Sequence, residues 1–301
     1  MDLVNKGKRG KIEKKFDFRV VFAIISTLFF WASAFAGIKV GLEDYNPGSL
    51  VLLRFLTASV VLLIYAFIIR MPLPETKDIP NLFLLGFIGI TVYHLSLTYG
   101  ELKVSAGSAS LLIGSAPVFT AIFAIIFLKE RLNVWGWTGV LLGFLGISLI
   151  VRGEGNSISF EPATFLVLLS AICTSIFFVF QKPFLKKYSP LQFTAYAIWG
   201  GTLFQLIFLG SMVRNIQNAS VGSTLTIVYL GIFPAALAYV TWAYALSHVP
   251  ASVMGSFLNL SPVLAIIIAW IWLKEVPTPL SLIGGLLALI GVVIVNIWGK
   301  R

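Results

Sequence analysis

One cysteine, Cys173, stands in a chain of 301 residues, so no disulfide can form within it and no Cys/His metal pattern arises. Charge is equally scarce: 11% of residues are Asp, Glu, Lys or Arg, against 58% apolar. A soluble domain has no interior large enough for that apolar share, and several apolar runs approach the roughly 20 residues that cross a bilayer. Missing too is any G-x-x-x-x-G-K-[ST] sequence, which removes ATP hydrolysis through a P-loop. No metal and no cofactor is called for.

What the chain does have is a repeat. Shifting the numbering by 145 carries Tyr99 onto Tyr244, Ala106 onto Ala251 and Pro117-Val118 onto Pro262-Val263. The same shift of 145 carries Leu128-Lys129-Glu130 onto Leu273-Lys274-Glu275, Gly139 onto Gly284 and Gly146 onto Gly291. Upstream the offset is 143: Phe35 falls on Phe178, Lys39 on Lys182, Tyr45 on Tyr188 and Pro47 on Pro190. Two apolar copies make a duplicated membrane unit rather than a soluble solenoid.

Hydropathy places ten spans at 20–40, 49–69, 82–98, 106–128, 134–151, 163–181, 191–212, 224–246, 251–273 and 279–298. The fold class is therefore an all-α membrane protein of ten transmembrane helices in two five-helix repeats. Residues 1–19 form a basic tail, 20–151 the first repeat and 163–298 the second. Five is odd, so the copies are expected to run in opposite directions, as in many secondary transporters. The basic tail and following apolar run also resemble a signal peptide with Ala32-Ser33-Ala34 as its cleavage site. Retention is the expectation, because cleavage would remove one member of a repeated pair.

The net charge of +10 follows from topology. Sixteen of the 22 Lys and Arg residues fall on one side of the predicted spans, five on the other, and Arg54 lies within a span. Basic residues mark the cytoplasmic face, so both termini are expected inside, in the cytoplasmic membrane. The excess then speaks for a lipid bilayer as partner and against nucleic acid. Loops between spans are short and leave no room for a catalytic domain. Asn218-Ala-Ser220 matches a glycosylation acceptor, a pattern that chance often produces.

All twelve carboxylates lie in tails, loops or helix ends. A proton-driven cation exporter usually trades its proton at an intramembrane acid, so that chemistry is disfavoured. His94 is, with Arg54, the side chain near a span's interior that carries or gains charge readily. It reads either as a substrate or proton group or as a structural hydrogen bonder. Arg54, about a turn inside its span, reads first as structural, snorkelling outward or pairing with Glu101. The sites Lys129-Glu130 and Lys274-Glu275 read as helix-end anchors.

Polar and aromatic residues within the spans supply the candidate substrate cavity: Trp31, Ser33, Tyr93, His94, Tyr99, Gln181, Trp242, Tyr244, Asn259 and Ser261. Pro117 and Pro262 sit at matching points and are the candidate helix breaks. Gly136, Gly139, Gly143 and Gly146, with Gly284, Gly285 and Gly291, allow close helix approach, inside the bundle or in a homodimer.

These residues resemble the EamA-type family of the drug/metabolite transporter superfamily across nearly the whole chain. The stretches are Phe30-Trp31-Ala32-Ser33-Ala34-Phe35, Leu53-Arg54-Phe55, the run from Ser108 to Val118, Leu128-Lys129-Glu130-Arg131 and Leu260-Ser261-Pro262-Val263. The resemblance implies ten inverted-repeat helices moving small organic solutes, with the first, third, fourth, sixth, eighth and ninth around a cavity. The expectation is a transporter and not an enzyme: a secondary transporter or facilitator exporting a small polar metabolite, such as an amino acid. A multidrug exporter is the runner-up within transport. A lipid-modifying membrane enzyme would need an acid/base cluster that the sequence does not offer.

Overall fold

The computed structural model describes residues 17–153, 162–258, 260–274, 276 and 278–299. Among them no strand occurs. In chain order the helices of the first copy are α1 (Phe18–Gly41), α2 (Pro47–Ile68), α3 (Thr76–Gly100), α4 (Ala106–Ile113), α5 (Ala116–Leu128) and α6 (Val134–Gly153). Those of the second are α7 (Pro162–Phe184), α8 (Pro190–Asn218), α9 (Val221–His248), α10 (Ala251–Phe257), α11 (Leu260–Leu273) and α12 (Pro279–Trp298). Six of these, α1, α2, α3, α7, α8 and α9, are long and apolar enough to cross a membrane. Each copy thus runs through three long helices, a divided pair and a glycine-rich helix.

Local chemistry sets the boundaries. Asn46 accepts from Ser49 N at 2.9 Å with Pro47 opening α2, and Ser189 forms a capping box with Gln192 before Pro190. The expected spans 106–128 and 251–273 are each divided, the first at Gly114 and Ser115, the second at Leu258. Proline has no N–H for the carbonyl four residues back, and its ring clashes there. For Pro117 that carbonyl belongs to Ile113, where α4 ends; for Pro262 it belongs to Leu258, at the second break. Pro117 itself sits in the first turn of α5, where a proline is tolerated. Helix α5 then closes on Lys129 in the left-handed region at φ 55°, and Lys274 after α11 does the same at φ 58°.

The glycines of α6 and α12 bring the two backbones into contact. A Cβ on Gly139 would lie 2.6 Å from Gly291 O, and one on Gly146 would lie 2.7 Å from Ala288 N. The stripe is therefore filled within the chain, the role small residues take when lipid offers no hydrophobic drive between helices. Lipid-sized exposure falls on the other faces, as at Leu141, Phe144, Leu286 and Ile297.

Contacts between the copies are reciprocal. Gly139 meets Gly291 while Gly146 meets Gly284, each the other's equivalent at an offset of 145. Gly86 of α3 meets Ala197 of α8, and Gly231 of α9 meets Arg54 of α2, the equivalents in the opposite copies. Exchange of partners in this way is the contact pattern a two-fold axis produces. Helices α3 and α9 also carry π-turns at matching places, Phe87–Val92 and Gly231–Leu237.

Side chains tie the ends together. Asp44 accepts from Ser220 N at 3.0 Å and Ser220 Oγ at 2.7 Å, and these bonds, with help from Ser223, hold its carboxyl below the usual range. At the opposite end Glu130 takes the backbone N–H groups of Ala251 and Ser252, both at 3.0 Å, so it caps α10. That differs from the helix-end anchoring expected for Lys129-Glu130, because the left-handed turn at Lys129 swings the next residue across to the other copy. Lys39 Nζ donates to Glu101 O, and its equivalent Lys182 donates to Val249 O, each at 2.5 Å.

Candidate functional site

A small cavity of about 40 Å³ lies where the two copies meet. Helix α1 supplies Trp31, Ala34, Phe35 and Ile38, whose spacing of three and four puts them on one face. Arg54 comes from α2, and Tyr93, His94 and Leu97 from α3. The first helix break brings Ser110, Ile113 and Gly114, and the second brings Leu258 and Ser261. Thr174 and Phe178 of α7 and Tyr239 of α9 complete the wall. Four pairs of wall residues are repeat equivalents: Trp31 and Thr174, Phe35 and Phe178, His94 and Tyr239, Ile113 and Leu258.

A chain of polar groups crosses this wall. Arg54 Nη1 lies 3.4 Å from His94 Nδ1, and His94 Nε2 lies 2.9 Å from Tyr239 Oη. An arginine N–H only donates, so Nδ1 must accept, which leaves the proton on Nε2 to donate to Tyr239. The geometry holds His94 as the neutral imidazole. A protonated ring would face a guanidinium with an N–H of its own. Arg54 is 2% exposed and is the one formal charge among the wall residues.

Aromatic rings form the rest. Trp31 stacks on Phe178 at 5.7 Å between centroids and meets Tyr239 edge-on at 5.3 Å. Its Nε1 donates to Pro234 O at 3.0 Å, so the indole is fixed and presents a face. That carbonyl belongs to the π-turn of α9.

Of the expected cavity residues, Trp31, Tyr93, His94 and Ser261 line it. Trp242 packs behind, 5.1 Å from Trp31 and 4.4 Å from Phe178. Ser33 is turned to Tyr229 Oη at 2.8 Å, Gln181 is buried outside the wall, and Tyr244 packs against His248 with the rings tilted. Tyr99 is 41% exposed. Asn259 lies outside the described residues, as does the side chain of Pro262. Arg54, read as structural, stands in the wall, and Thr174 and Phe178 join it unannounced. The repeat was the available signal for both: they are the equivalents of Trp31 and Phe35. Among the described residues no three His, Cys, Asp or Glu side chains come together as a metal site.

The sequence matches the EamA-like transporter family twice, over residues 18–152 and 162–297. It is 45% identical over 262 residues to the uncharacterized transporter YdfC of Bacillus subtilis (strain 168), covering 87% of this chain and 86% of that one. It is 37% identical over 278 residues to a probable terminal-alkyne amino-acid exporter of Streptantibioticus cattleyicolor, covering 92% and 93%. A solved crystal structure shares the fold with a TM-score of 0.72 at 15% identity, over 92% of this chain and 96% of the other. With six apolar helices long enough to span and the family repeated over both copies, the chain is a multi-pass membrane protein belonging to the EamA-like transporter family.

Proposed function

We propose that this transporter exports a small polar organic metabolite, an amino acid or similar, across the cytoplasmic membrane as a secondary transporter or facilitator. The carrying observation is the cavity itself, built from repeat-equivalent positions on both copies. A site on the axis between two units is where rocking of one unit against the other exposes it to either side in turn. The reading includes ten spans in two oppositely directed five-helix repeats with both termini in the cytoplasm. The reciprocal glycine contacts, the paired π-turns and the Lys/Arg bias support that topology. The 37% identical relative, named a probable amino-acid exporter, supports the solute class.

The test compares cells that overproduce the chain with cells that lack it, by metabolite analysis of the medium. Faster release of one or a few amino acids is expected on overproduction. Identical media from both would remove the export reading. The aromatic wall of Trp31, Phe178 and Tyr239 favours a second reading, a multidrug exporter. Broad drug resistance on overproduction, without metabolite release, would select it.

A further inference from the structure

We infer that Arg54 is the docking group for a carboxylate, and that the solute is an α-amino acid bound by its carboxylate at Arg54. The inference rests on the transport reading above and names the chemistry of its solute. Arg54 is 2% exposed, lines the cavity, and has a buried Nε with no hydrogen-bond partner. Its Nη1 is turned to His94 Nδ1, which holds the guanidinium in place. A planar fork of donors, fixed and incompletely bonded, matches the two oxygens of a carboxylate.

The repeat separates the backbone duty of this position from its side chain. At residue 54 the carbonyl packs against Gly231, and at the equivalent Ala197 the carbonyl packs against Gly86. Both junctions have the same form, and the second is complete with a methyl group. The guanidinium is therefore not what joins α2 to α9. It is present on one copy, which gives a symmetric cavity an asymmetric charge.

Glu101, fully buried at the end of α3, adds favourable charge interaction to Arg54 from outside the cavity wall. A ligand carboxylate would add direct hydrogen bonds on the cavity side. For the ammonium the wall has no acid, but the faces of Trp31, Phe178 and Tyr239 suit a cation. Ile38, Leu97 and Leu258 leave an apolar surround for a small aliphatic side chain.

The experiment uses the full chain purified in detergent and measures thermal unfolding with each of the twenty common amino acids and with the carboxamide of each. At least one acid should raise the midpoint, while its amide, equal in size but uncharged at that end, should not. Arg54→Gln should weaken the effective acid at least tenfold, and Arg54→Lys should fall between. Equal shifts from acid and amide, no shift from any acid, or unchanged acid binding in Arg54→Gln would each overturn the assignment. Should Arg54→Gln fail to fold, the acid–amide comparison on the unaltered protein still decides. Adding Glu101→Gln tests charge balance: if the double variant regains both stability and acid binding, Arg54 serves Glu101 and the docking role falls. Transport of amides and acids alike by reconstituted protein would leave the transport reading intact and remove this one. Acid binding at Arg54 without flux would do the reverse.

Discussion

His94 carries the most informative single perturbation, because its two neighbours dictate its proton. Arg54 can only donate to Nδ1, and Tyr239 Oη is 2.9 Å from Nε2, so the working side chain is a neutral acceptor–donor pair. Glutamine offers the same pair, with its carbonyl oxygen toward Arg54 and its amide N–H toward Tyr239. Alanine offers neither. A hydrogen bond to a charged group contributes about 1.5–3 kcal/mol and a neutral one about 0.5–1.5 kcal/mol. Water entering the cavity recovers part of that sum, so His94→Ala should lose about 2 kcal/mol, or about thirtyfold in transport per molecule. His94→Gln should stay within about threefold of the parent, since it restores both bonds. The assay is solute flux in reconstituted vesicles, normalised to protein and measured across pH. The dependence on pH should be unchanged in His94→Gln. Its disappearance in that variant, at normal abundance, would show that His94 cycles a proton, and the tautomer argument would be wrong.

Gly291→Val should separate α6 from α12, because a Cβ there already lies 2.8 Å from Gly143 N, and overpacking of this kind costs about 1–3 kcal/mol or more; thermal unfolding measures it, and parental stability would refute the contact. Pro117→Ala gives Ile113 O a donor and lets α4 run into α5, so flux per molecule should fall more than abundance does; parental flux would make the break incidental. Asp44, whose carboxyl is held low in the folded protein, adds stability above its unfolded pKa of about 4 that is lost as pH falls through its folded value. Asp44→Asn should therefore flatten the acid side of the stability profile, and an unchanged profile would count against the Ser220 link. Single cysteines at the exposed Lys186 and Gln217, in a Cys173→Ala background, should be labelled from opposite sides by an impermeant reagent; labelling from the same side would sink the inverted topology.

Much of the helical layout was legible because the chain states it twice. Caps such as Asn46-Pro47 and Ser189-Pro190 recur at a fixed offset, and the two prolines fall four residues past Ile113 and Leu258, where the preceding helices give out. The site was legible only in part. Residue type alone pointed equally to Trp31 and Tyr99, yet one lines the cavity and the other is 41% exposed. Only the face of the helix separates such pairs. Arg54 was hidden by its nearness to the end of α2, where snorkelling explains an arginine without a cavity. The second copy has Ala197 at its place, and an asymmetric solute is served by an asymmetric charge.

The paired π-turns bear on how such a helix can change by a single residue. An α-helix advances about 100° per residue, and a π-turn holds one residue more than that rhythm allows. In α3 the surplus lies at Phe87–Val92, directly ahead of His94, and in α9 at Gly231–Leu237, directly ahead of Tyr239. Winding either turn as regular α-helix with its surplus residue kept would rotate everything beyond it by about 100°. His94 or Tyr239 would then leave the wall while the stretch before the turn kept its neighbours. Winding, as much as residue type, aims these two side chains.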